Sequence, residues 1–190
     1  MTTDASPSQL VNVIDLECTC WRQGEPAGAQ EAIEIGITVL DVRTRSLVST
    51  ESILVLPTTS EISPFCTELT TLTAEMVRAE GIAFRDALAK LKKTYDAKNR
   101  VFASWGDFDR KHFERQTTRE GLGSPFGPRH LNVKSLFALQ HALPRECGMD
   151  EALERMGLPL VGTHHRGGDD SRNIATLLVR MLGPLPTATG

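Results

Sequence analysis

Apolar residues gather into three β-like runs early in the chain, at residues 11–17, 32–40 and 47–56. The first ends in the acids Asp15 and Glu17, and a loop containing Gly and Pro (24–28) precedes the second. Three such runs in succession predict a strand meander rather than a strand–helix–strand opening. Farther along, the period becomes helical at 68–78 and 84–95, with Leu88, Leu91 and Tyr95 on one face of the latter. Residues 101–105 predict a short buried strand, and a helix is expected to start near Asp107. Three Gly and two Pro between 121 and 128 require a loop, 130–133 predicts a last strand, and helices are expected around 135–143, 148–156 and 170–182. In the last helix Ile174, Leu177, Leu178 and Met181 recur at i, i+3, i+4 and i+7, the stripe of a buried face. This order of elements predicts an α/β fold, a mixed central β-sheet flanked by α-helices, whose strand order the sequence leaves open.

Composition narrows the picture. A chain of 190 residues, 40% hydrophobic and 24% charged, can bury one sizeable core, which predicts one domain over 10–183 between flexible tails at 1–9 and 184–190. No run of 18 apolar residues occurs, and the first twenty residues lack a basic segment, so neither a membrane span nor a secretory signal is expected and the protein is placed in the cytoplasm. Cys18, Cys20, Cys66 and Cys147 lack the paired spacing of a zinc set, so reduced thiols are expected. A formal charge of -3 argues against a protein that coats nucleic acid non-specifically, but not against an enzyme whose acidic site carries its own cations.

Three acidic segments carry the candidate chemistry. Asp15 and Glu17 alternate onto one strand face, about 7 Å apart, together with Val11 and Val13. Taken alone, such a pair is more often two surface acids where a strand ends. In Ser104-Trp105-Gly106-Asp107-Phe108-Asp109 a β-like run turns at Gly106 into a helix. There Asp107 fits the N-cap, while Asp109 shares the inward face of Phe113 and Gln116 and needs a partner such as a metal. Asp170 stands four before Ile174 on the buried stripe, where a cation is the natural counter-charge, and Asp169 is the expected cap. His165 precedes Asp170 in a Gly-rich loop, and Gly167 and Gly168 are expected to let it move. Four carboxylates can hold two hard cations, and a neutral imidazole beside them can take a proton from water near neutral pH.

These segments, with Glu31-Ala32-Ile33-Glu34-Ile35-Gly36 and His165-Arg166-Gly167-Gly168-Asp169-Asp170-Ser171-Arg172-Asn173, resemble the three motifs of the DEDDh 3′→5′ exonuclease superfamily. Pro64-Phe65-Cys66-Thr67-Glu68-Leu69-Thr70 and Asn132-Val133-Lys134 are similar to segments of its histone-mRNA 3′ exonuclease and enhancer-of-RNAi branch, which includes bacterial sporulation-kinase-inhibitor-like exonucleases. The likeness runs from about Val11 to Leu182. It implies a ribonuclease-H-like fold, two Mg²⁺ or Mn²⁺ ions held by Asp15, Glu17, Asp109 and Asp170, and His165 as general base. It also implies release of nucleoside 5′-monophosphates from single-stranded RNA or DNA 3′ ends, RNA being favoured. Substrate contacts are expected from Leu16, Cys18, Thr19, Leu72, Trp105 and Lys134. Where the branch has Leu-Thr-Gly-Ile, this chain has Leu69-Thr70-Thr71-Leu72, so the turn bordering the terminal base is expected to differ. Branch members that act on large RNAs often carry an added binding module, for which this chain has no room, so short substrates or recruitment by a protein partner are expected. The alternatives are a DNA-preferring exonuclease and a regulatory protein-binding module on the same fold; loss of catalytic acids would favour the latter, and none is lost.

Overall fold

The computed structural model describes residues 9–25 and 28–184; apart from Gln9 and Pro184, the expected tails lie outside them. The predicted meander is present as β1 (Leu10–Cys18), β2 (Ala32–Asp41) and β3 (Ser46–Leu56), paired antiparallel in order. Beyond it β4 (Ile82–Ala83), β5 (Val101–Ser104) and β6 (His130–Asn132) complete a sheet of order β4-β3-β2-β1-β5-β6, in which β5 runs parallel to β1. The sheet is therefore mixed, with β1 near its centre.

Alternation along β1 divides the core. Ile14, Leu16 and Cys18 join Ile35 and Ile37 of β2 on one face, covered by α3 (Phe84–Thr94) and by Phe113 of α4 (Phe108–Arg119). Val11 and Val13 join Leu40 on the other, covered by α5 (Val133–Gln140), α6 (Met149–Arg155) and α7 (Gly167–Leu182). The stripe Ile174, Leu177, Leu178 and Met181 is buried as its spacing required.

Two helix predictions need correction. The stretch 68–78 is not one helix: α1 (Pro64–Thr70), with Ser63 as N-cap and Pro64 in its first turn, ends at Thr71, whose φ of 62° is left-handed, and Thr73 caps α2 (Ala74–Glu80). The last helix starts at Gly167 rather than Asp170, so Gly167 and Gly168 form its first turn and are not a loose hinge for His165.

That first turn lies backbone to backbone on β2. A Cβ added at Gly36 would stand 1.8 Å from the Gly167 carbonyl oxygen, and one at Gly167 would stand 3.0 Å from the Asp15 carbonyl oxygen. No rotamer change can relieve a clash with backbone. Gly36→Ala is accordingly expected to destabilise the fold at or above the upper end of the roughly 1–3 kcal/mol typical of overpacking. Thermal melts measure this, and an unchanged melting temperature would show that α7 does not seat as described.

Candidate active site

Asp15 and Glu17 leave β1 on the face crossed by α7, opposite Gly36 and Glu34 of β2. Asp170, in the first turn of α7, brings a third carboxylate, and one oxygen each of Asp15, Glu17 and Asp170 lie within 4.8 Å of one another. Asp109 arrives separately. Gly106, at φ 105°, turns the chain out of β5, and in the first turn of α4 Asp109 Oδ1 accepts the Leu16 N–H at 2.9 Å. All four acids line one cleft of about 350 Å³, with Leu16, Trp105 and Phe108 on its walls.

The cluster is electrostatically costly. Burial pushes the Asp15 carboxyl well above its usual range, and the charges of Asp109, Glu17 and Asp170 add to the effect. Glu17 is pushed up to about 8, first by burial and then by Asp170, Glu34 and Asp109. Burial raises Asp109 to about 7 against the opposing Leu16 hydrogen bond, and Asp170 to about 6 against the N–H of His165. Asp170 Oδ2 accepts that N–H at 2.9 Å, while its Oδ1 is buried with no hydrogen-bond partner. An orphaned carboxylate oxygen within a knot of acids fits a hard divalent cation, which would relieve the repulsion and occupy the lone pair together.

His165 is a left-handed residue, φ 64°, just before α7. Its ring stacks on His164 with centroids 4.1 Å apart, and burial, followed by the His164 charge, holds its pKa below the usual histidine value. It is thus a neutral imidazole near pH 7, the form a general base needs.

Of the two expected caps, Asp107 keeps its position at the start of α4 but makes no capping bond, and Asp169 is displaced from the cap. The Asp107 carboxylate lies 3.7–3.8 Å from Arg110, Lys111 and His130. At α7 the N-cap is Arg166, and Asp169 Oδ2 instead accepts the N–H of Thr163 at 2.8 Å, tying the His165 loop to the helix. Of the expected substrate contacts, Leu16 and Trp105 line the cleft, and Lys134 lies beside Gly106. The side chains of the other three are packed into the protein. Cys18 turns into the core under α3; Thr19 is fully buried, its hydroxyl accepting the Glu31 N–H; and Leu72 is fully buried among Ile33, Leu54, Cys66 and Val77.

Sequence reasoning gave Glu34 no role. It is fully buried, receives Nε and Nη2 of Arg166 at 3.2 Å and the Gly167 N–H at 2.9 Å, and bonds the Ser52 hydroxyl. The residues flanking Asp170 are thereby fixed to β2. A lone Glu at an alternating position of the otherwise apolar Ala32-Ile33-Glu34-Ile35-Gly36 was the available signal. Phe108, His164 and Asp150 also line the cleft, with no comparable signal in their spacing.

The family model described as Exonuclease (RNase T) matches residues 12–178 of this chain. The 3'-5' exonuclease Snipper of Drosophila melanogaster is 26% identical, over 93% of this chain and 70% of its own length. The 3'-5' exoribonuclease 1 of Homo sapiens is 30% identical, over 90% of this chain; the chain spans 51% of that relative. Among solved structures, the nuclease domain of 3'hExo, a DEDDh family member bound to rAMP, superposes with a TM-score of 0.84 at 28% identity over 92% of each chain.

The raised carboxyls set a pH dependence. In the unfolded chain they titrate near 4, whereas folded Asp170, Asp109 and Glu17 hold protons to about 6, 7 and 8. Across that window the folded state binds more protons than the unfolded one, so with a chelator present stability is expected to fall as pH rises from about 5 to about 8. A cation that needs the ionised cluster opposes this, so Mn²⁺ should raise the melting temperature more at about pH 8 than at about pH 5.5. A metal-induced rise that does not depend on pH would place the cation elsewhere.

Proposed function

The chain belongs to the exonuclease family, and we propose that within it this protein removes nucleoside 5′-monophosphates stepwise from the 3′ ends of single-stranded RNA, with two divalent cations, Mg²⁺ or Mn²⁺. The observation that carries this reading is the knot of Asp15, Glu17 and Asp170 around an orphaned buried oxygen, with the neutral imidazole of His165 five residues before Asp170. The names of the human exoribonuclease and of the rAMP-bound domain favour RNA over DNA.

Asp15, Glu17 and Asp170 would hold one cation together, and Asp109, which lines the same cleft, would complete the second site. Bound there, the cations supply an activated water and charge stabilisation for the leaving 3′ oxygen. Neutral His165 accepts the water proton on a ring nitrogen. Hydrogen bonding of its backbone N–H to Asp170 ties base and carboxylate into one unit, and the Glu34–Arg166 pair beside them restrains that unit against β2.

Single strands of RNA and of DNA, each labelled at the 5′ end, test the reading when incubated with Mg²⁺ or Mn²⁺. Ladders shortening from the 3′ end, faster for RNA, are expected, with 5′-monophosphates as product; faster loss of DNA would reverse the preference, and intact strands would end the proposal. Asp15→Asn should abolish cleavage while keeping the fold. His165→Ala should lower turnover by roughly 10²–10⁴-fold with the Mn²⁺-induced melting shift retained; a vanished shift would make His165 a ligand.

Asp107 and Asp109 separate in the same assays. Asp109→Ala should abolish cleavage and shrink the Mn²⁺ shift. Asp107→Ala, removing only a half-exposed ion cluster without a capping bond, should change stability by no more than about 0.5 kcal/mol and leave most activity. The opposite pattern would make Asp107 the ligand.

A further inference from the structure

Six Lys and Arg lie between Arg110 and Lys134, but the fold does not leave them equivalent. Arg110 is engaged by Glu114 at 2.7 Å and by Asp107, and Arg129 is bonded to the Asn99 carbonyl. Lys111 lies 3.8 Å from the same Asp107. Arg115 and Arg119 are exposed and form no ion pair among the described residues.

Their placement is directional. The α4 helix starts in the cleft, where Asp109 and Phe108 line it, and runs outward. Phe108 is 45% exposed and so offers a ring face at the mouth of the cleft. The Arg115 guanidinium stands 6.0 Å from the centroid of that ring, and both Arg119 terminal nitrogens donate to the Gln30 carbonyl at 3.3 Å, which holds that charge in place. Lys111, Arg115 and Arg119 recur every fourth residue, so each lies about 6 Å farther along the axis with a small rotation. Arg115 is thus about 9 Å and Arg119 about 15 Å beyond Asp109.

We infer that this face of α4 is the track for the RNA strand on the 5′ side of the nucleotide being removed, with Arg115 and Arg119 each pairing with a backbone phosphate. The inference rests on the nuclease reading above. Two observations single out this occupant: Arg115 stands over Phe108, which lines the cleft that takes the 3′ end, and the two unpaired cations complement a phosphate chain. Guanidiniums paired with backbone phosphates carry no sequence information, so the track should grip the strand without reading its sequence.

The test is binding of 5′-fluorescent RNAs of two and of ten nucleotides in Mn²⁺, in proteins that all carry Asp15→Asn so that the strand is not consumed. Adding Arg115→Ala and Arg119→Ala should weaken decamer binding about tenfold more than dinucleotide binding. It should also flatten the slope of log affinity against log salt by about 1.4, two phosphates at about 0.7 each. The control pair Arg78→Ala and Arg155→Ala removes equal charge elsewhere and should leave both readouts unchanged. Equal losses on both RNAs, an unchanged slope, or the same loss in the control would overturn the track. Failure of the nuclease reading appears separately, as intact strands with the unsubstituted protein, and leaves the binding comparison readable.

Discussion

Between Gly36 and Gly167 there is no side chain, and that bare contact sets the distance between α7 and the sheet. Asp170 hangs from the same helical turn, and Asp15 faces Gly36 across the strand pair, so the separation of the two backbones determines how close the carboxylates come. Glu34 secures the approach by taking the Gly167 N–H and the Arg166 guanidinium at once. One turn deeper, the Ser171 hydroxyl bonds Thr38 of β2 at 3.0 Å. The helix is therefore seated by polar contacts matched to a particular depth rather than by greasy packing alone, and that seating keeps mutually repelling acids together.

Two kinds of buried acid coexist within one strand length. Glu31 is almost fully buried, yet six hydrogen bonds from Thr58, Thr59 and Ser60 overcome the cost of burial and bring its pKa down to about 2. Glu17 has comparable burial and no such donors, and is driven to about 8. Hydrogen-bond donors around Glu31 and like charges around Glu17 together decide the outcome: a satisfied carboxylate fastens a loop, whereas a crowded, unsatisfied one keeps its lone pairs for a cation.

Much of this was legible in the chain. The meander, the inward stripe of α7 and the inward face of Asp109 followed from spacing, because burial imposes period on sequence wherever an element has one wet side. Reading failed where tertiary contacts replaced local rules. Asp107 and Asp169 had the look of caps, but basic neighbours drew one carboxylate and the Thr163 N–H took the other. Gly167 and Gly168 looked like a hinge, since glycine needed for close packing and glycine needed for motion are the same letter. The burial of Leu72 and Thr19 was not legible either, since exposure depends on which core cluster lies beneath.

The order in which the parts are made is also constrained. Asp15 and Glu17 stand on the first strand, Asp109 follows at mid-chain, and His165 with Asp170 belong to the last helix described. Synthesis at the usual pace of about 5–20 residues per second separates the first carboxylate from the last by on the order of ten seconds. During that interval the growing polypeptide carries at most three of the four carboxylates and no base. The acid cluster is complete only when α7 has emerged and settled against β2.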